Sequence, residues 1–157
     1  MIRTDKRIRL CTVLLICNLI FIWGNSLRTG AESSAMSGSL LKWINQFLHL
    51  DEAGADKLHL VIRKMAHFTE FACLGTLLTW LFSMMGEKKG HLVCMPLLCG
   101  MMAACVDETI QVFTPDRGPS FWDVCIDTTG FVLGSLLFLG GCAIYKNCKS
   151  KKSLGGQ

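Results

Sequence analysis

The stretch Arg63-Lys64-x-x-His67-x-x-Glu70 sets two cations, an imidazole and a carboxylate at the opening of a long apolar run. Residues 63, 67 and 70 are spaced i, i+4, i+7, which stacks them on one face of a helix. If residues 65–85 cross a bilayer, His67 and Glu70 lie roughly 3 and 8 Å below its start, at about 1.5 Å per residue. Imidazole and carboxylate so placed can act as base and orienter. Ionisable groups at that depth cost roughly 2.5–3.5 kcal/mol each at a helix centre, so the rest of the chain must supply partners or a polar cavity. Two further groups answer that need. Asp107 and Gln111 are i, i+4 on one face with Glu108 about 100° around, and Asp123 and Asp127 are again i, i+4.

Near this layer stand five acids (Glu70, Asp107, Glu108, Asp123 and Asp127) and three fixed cations, Arg63, Lys64 and Arg117. The surplus acids must share protons, recruit a protonated His67 or hold a divalent cation. No metal follows from spacing alone; His67, Glu70, Asp107 and Asp127 are the residues that would hold one, although His67-x-x-Glu70 reverses the usual order of helical di-metal motifs. Each residue also has a plainer role. Arg63 and Lys64 can snorkel to headgroups, His67 can be a hydrogen-bonded core residue, and Glu108 can face away. Asp123 can simply cap a helix, and Arg117 can pair with Asp123 or grip a phosphate as a bidentate fork.

The elements that must position these groups are apolar blocks. Of 157 residues, 51% are hydrophobic and 18% charged, with mean hydropathy +0.41, and the apolar residues are concentrated rather than spread. Residues 10–27, 65–85, 91–113 and 121–145 are each near the roughly 20 residues that a helical crossing needs. The expected fold is therefore all-α, an integral membrane four-helix bundle. Ten of the sixteen Lys and Arg fall on one side of those crossings, which predicts both termini cytoplasmic. On that topology Glu70, Asp107 and Asp127 share one depth, roughly 9 Å below the outer boundary. The net charge of +4 comes from dispersed flanking residues, which argues against a nucleic-acid surface. The nine cysteines include no C-x-x-C pair, and those inside apolar blocks read as small hydrophobes, with no disulfides expected.

Residues 1–9 form a basic cytoplasmic leader, and the following block is expected to be a retained crossing rather than a cleaved signal peptide. Residues 30–38 read as an outer loop, and residues 39–50 as an amphipathic helix, either on the outer surface with Trp43 at headgroup level or packed over the bundle. Asp56 is the expected cap of the next helix, and residues 86–90 a tight cytoplasmic turn. Thr114-Pro-Asp-Arg-Gly-Pro119 separates the last two crossings. Gly130 and Gly134 allow close helix approach, and residues 146–157 form a basic, mobile cytoplasmic tail.

With these residues set out, the chain resembles the VanZ-like family of small bacterial membrane proteins. The likeness rests on Arg63-Lys64-x-x-His67-Phe68-x-Glu70-Phe71 and on Asp107-Glu108-x-x-Gln111-x-Phe113-x-Pro115-x-Arg117, and continues through Asp123, Asp127, Gly130 and Gly134. It covers about residues 10–145. Phe71 stands where the family often has Tyr, and the first crossing is similar only in character and in Asn25-Ser26. The resemblance implies a four-helix protein of the bacterial cell membrane with these charged motifs as functional positions. The name-giving member is linked to lowered susceptibility to the lipoglycopeptide teicoplanin, and no established reaction accompanies the family. The leading expectation is an outer-leaflet pocket that binds an anionic envelope lipid or peptidoglycan precursor through Arg63, Lys64 and Arg117. A second is an intramembrane metal- or histidine-dependent hydrolase or transferase acting on polyprenyl-linked substrates through His67, Glu70 and Asp107. A third is an accessory to proton-coupled transport or lipid flipping. The sequence leaves the oligomeric state open.

Overall fold

In a computed structural model, which describes residues 2–86 and 91–154, the chain is all-α. Five helices follow one another: α1 (Ile2–Ser26), α2 (Gly30–Leu48), α3 (Glu52–Met84), α4 (His91–Val112) and α5 (Phe121–Leu154). Three of them contain segments long and apolar enough to cross a membrane, Lys6–Ser26, Leu92–Val112 and Phe121–Lys151. Large apolar side chains such as Ile20, Leu98, Met102, Leu136 and Leu137 lie on the outside of these helices, while the buried apolar core is small. Water would not tolerate so much contiguous apolar surface, and a bilayer requires it. The chain is a membrane protein.

The helices are longer than the hydropathy pattern marks. Residues 30–38, expected as a loop, are the first half of α2. The reason is a capping box: Thr29 accepts from the Glu32 N–H at 3.2 Å, and the Glu32 carboxylate accepts from the Thr29 N–H at 2.9 Å. Hydrogen bonds from the Thr29 N–H, and then from its hydroxyl, hold the Glu32 carboxyl below its usual pKa. Ser37 then meets His59 of α3 at 2.6 Å, so the serine-rich turns are pinned to a neighbour rather than left to weak propensity. α2 stops where His49 turns left-handed (φ 48°) and the Asn45 side chain accepts from the Leu50 N–H at 2.8 Å. Asp51, not Asp56, caps α3, accepting from the Gly54 N–H at 2.9 Å. Residues 146–154, expected to be mobile, continue α5 as helix. Of the turn expected at 86–90, residues 87–90 lie outside the described residues, as do residues 155–157 of the tail.

α3 is the organising helix and makes its most extensive contact with α5. Their backbones approach closely because Gly75, Gly130 and Gly134 carry no side chain. A Cβ on any of the three would collide with the carbonyl of Phe131, Phe68 or Ala72 respectively. The gap is stitched by Thr76 Oγ1 donating to the Gly134 carbonyl at 3.1 Å and Ser135 Oγ donating to the Gly75 carbonyl at 3.2 Å. Phe71, Leu74, Ala104, Phe131 and Ile22 fill the centre of the bundle. α1 and α4 pack on the remaining sides of α3, and α2 lies against its first half. At one end, the Gly30 N–H donates to the Pro115 carbonyl at 3.1 Å and Thr114 Oγ1 donates to the Ser26 carbonyl at 3.0 Å. The α1–α2 corner and the α4–α5 loop are thereby tied together over the polar end of the bundle.

Candidate functional site

Beneath that tie, three helices and the loop after α4 bring polar side chains into the bundle. α3 contributes Arg63, Lys64, His67 and Glu70 from its middle; α4 contributes Asp107, Glu108 and Gln111 from its last turns. α5 contributes Asp123 and Asp127 from its first turns, and the α4–α5 loop contributes Arg117. The fold thus brings residues separated by up to 64 positions around one cavity.

Asp107 and Asp127 are fully buried (0% exposed), and Glu108 and Gln111 nearly so. His67, Asp107 and Asp127 each offer a ligand atom, and these atoms lie within 4.8 Å of one another. His67 Nδ1 stands 3.7 Å from Asp107 Oδ2. Asp107 is held from both sides: Ser26 Oγ donates to Oδ1 at 2.6 Å, and the Gln111 amide donates to Oδ2 at 3.0 Å. The same amide donates to Glu108 at 3.3 Å, and the Ser120 N–H donates to the other Glu108 oxygen at 2.7 Å. Glu108 therefore faces inward and ties the α4–α5 loop to α4. Asp123 pairs with Lys64 at the mouth of the site. Asp123 is thus joined to α3, and Arg117 is left without an acid directly against it among the described residues. Glu70 turns to α1, where Asn25 donates to it at 2.8 Å, and stands outside the His67–Asp107–Asp127 group.

Two cavities open on these residues. One, of about 230 Å³, is polar and lies among α3, the α4–α5 loop and α5, with Lys64, Gln111, Asp123 and Asp127 on its walls. The other, of about 270 Å³, lies under α2, where Phe21, Met36, Leu40 and Ile62 make an apolar side and Asn25 and Glu70 a polar one. Arg63, His67 and Arg117 line both. Several buried groups here have no partner among the described residues: both Asp127 oxygens, Glu70 Oε2, and Arg117 Nε and Nη1. Burial, and secondarily the neighbouring Arg63 guanidinium, pushes the Arg117 pKa below the usual arginine value, while Asp107, Glu108 and Glu70 pull it back. Arginine stays cationic throughout. A buried polar atom without a partner costs about 1–3 kcal/mol, more when charged, so this end of the bundle is arranged for something other than stability.

Asn25, Ser26 and the Ser120 N–H complete the site, and residue chemistry alone did not single them out. The available signal was an adjacent Asn-Ser pair ending an apolar run. Polar residues there face either a boundary or a buried carboxylate, and only the fold distinguishes the two.

Among curated proteins and among solved structures, none matches the chain. A family model for VanZ/LLP1 matches residues 10–144, a span that contains α2, α3 and α4 entire together with every site residue named above. The chain belongs to the VanZ/LLP1 family.

Proposed function

We propose that the paired cavities bind an anionic lipid of the bacterial envelope, or a lipid-linked cell-wall precursor, and so lower susceptibility to lipoglycopeptides such as teicoplanin. The observation that carries this reading is Arg117, whose buried Nε and Nη1 lack a partner while it lines both cavities beside Arg63. Two adjacent guanidinium groups facing a cavity repel each other unless an anion lies between them, and a phosphate fits their fork geometry. The Lys64–Asp123 pair frames the mouth. The apolar side of the second cavity, Phe21, Met36, Leu40 and Ile62, suits the first carbons of a lipid tail. VanZ/LLP1 membership supports the link to teicoplanin.

In this reading α3 is the fourth crossing, its hydropathy lowered by the site residues themselves. The excess of Lys and Arg at the opposite end supports cytoplasmic termini and a site in the outer leaflet, where lipoglycopeptides act. The test is teicoplanin susceptibility of cells carrying Arg117→Ala or Glu70→Gln at membrane levels equal to the wild type. Protection is expected to fall for both, with Arg117→Ala the more severe. Undiminished protection in both variants overturns the pocket reading.

A further inference from the structure

His67, Asp107 and Asp127 come from three helices and from sequence positions up to 60 residues apart, yet their ligand atoms lie within 4.8 Å of one another. Nearness of acids is not in itself a site. Here a second observation points to a ligand: Asp127 is fully buried, lines the polar cavity, and neither of its oxygens has a partner among the described residues. Asp107, by contrast, is clamped by Ser26 and Gln111, one bond to each oxygen. That is the arrangement by which outer hydrogen bonds aim a ligating carboxylate. One carboxylate is thus fixed, its neighbour is bare, and an imidazole stands 3.7 Å from the fixed one.

We propose that His67, Asp107 and Asp127 form a binding site for one divalent transition-metal ion of the Zn²⁺ or Mn²⁺ type. Two facing carboxyls in a low-dielectric interior can ionise together only beside compensating positive charge, and a divalent ion supplies what a single imidazole does not. The imidazole selects the metal: Mg²⁺ and Ca²⁺ prefer all-oxygen sites, whereas a nitrogen with two carboxylates suits Zn²⁺, Mn²⁺ or Fe²⁺. Ligand atoms at about 2.0–2.2 Å from a common ion stand roughly 3–3.5 Å apart, so the widest spacing, up to 4.8 Å, must tighten by roughly 1.5 Å. Asp107 is anchored, so the adjustment falls on His67 and on Asp127, whose carboxylate nothing restrains. Three protein ligands would leave further positions open, and two of the three, His67 and Asp127, line the polar cavity.

This inference does not rest on the lipid reading, since Arg117 is not a ligand. The experiment uses the full chain purified in detergent, stripped with EDTA and titrated with Zn²⁺, Mn²⁺ and, as a coloured reporter, Co²⁺. Bound metal is counted per chain by mass spectrometry, and melting temperature is followed against ion concentration. Wild type is expected to hold about one ion per chain and to melt higher as the ion is added. His67→Ala and Asp127→Asn should each weaken binding at least about tenfold and lose the melting shift, whereas the exposed Glu52→Gln should keep both. The melting shift in the wild type needs no variant to fold. The proposal is overturned if the wild type takes up no stoichiometric ion, or if Asp127→Asn binds with wild-type affinity. It is equally overturned if Asp127→Asn melts higher than an ion-free wild type that no ion stabilises, which would mark Asp127 as a protonated carboxyl.

Discussion

Ser26 and Gln111 hold Asp107 by one hydrogen bond to each of its oxygens, in a place that water does not reach. Removing a donor from a buried carboxylate leaves that oxygen desolvated and unpaired, which costs about 1–3 kcal/mol or more for a charged acceptor. Ser26→Ala is therefore expected to lower the stability of the detergent-purified protein by roughly that amount, measured as a fall in melting temperature. Ser39→Ala, in the exposed middle of α2, should leave it unchanged. A Ser26→Ala protein as stable as wild type would show that Asp107 finds another donor. The contrast between Asp107 and Asp127 is the informative one. Two fully buried acids receive opposite treatment, one with a donor at each oxygen and one with none among the described residues. Both sit in i, i+4 pairs, but Asp107 has an amide donor in Gln111 and Asp127 only another acid, Asp123; the second donor to Asp107, Ser26, comes from the packing of α1.

The α3–α5 pair stands on carbonyl-to-glycine contacts, and these admit no side chain. Gly134→Leu should drive α5 away from the Ala72 carbonyl and, with it, Asp127 away from His67. A loss exceeding about 3 kcal/mol is expected, as for overpacking or cavity changes at the severe end. Gly140→Leu, six residues on along the same helix and with nothing within 4 Å of a Cβ, should be neutral. Comparing the two by gel filtration and thermal melting checks this. The glycine pair on α5 was legible in the sequence because small-x-x-x-small spacing is itself the packing signal. Its partner Gly75 was not, since one glycine in a helix has no register. Helix ends were less legible still. Residues 30–38 are serine- and glycine-rich and look like a loop until Thr29 and Glu32 are seen closing on each other. Asp51 caps α3 because the chain has just turned at His49, a left-handed residue that no composition rule marks.

Taken together, the helices make a bundle that is apolar outside and polar at one end, the reverse of a soluble domain. Alternating apolar blocks made this readable from composition alone. α3 was visible as an apolar block but carries its polar residues inside that block, so length and hydropathy mark only three helices. The direction of the bundle is open to direct measurement. Alkaline phosphatase, active only outside the cytoplasm, should be active when fused after Leu50 and inactive when fused after Gln157. The opposite pattern would move the polar end to the cytoplasmic face and remove the rationale for contact with lipoglycopeptides.

Arg63, His67 and Arg117 belong to both cavities at once, so they are a party wall between two rooms rather than the furniture of either. Whatever enters one room leans on that wall and reshapes the other. An occupant beneath α2 and an occupant beside α5 cannot then be independent tenants: each arrives to a space already altered by its neighbour, and their affinities are tied reciprocally through the same three side chains.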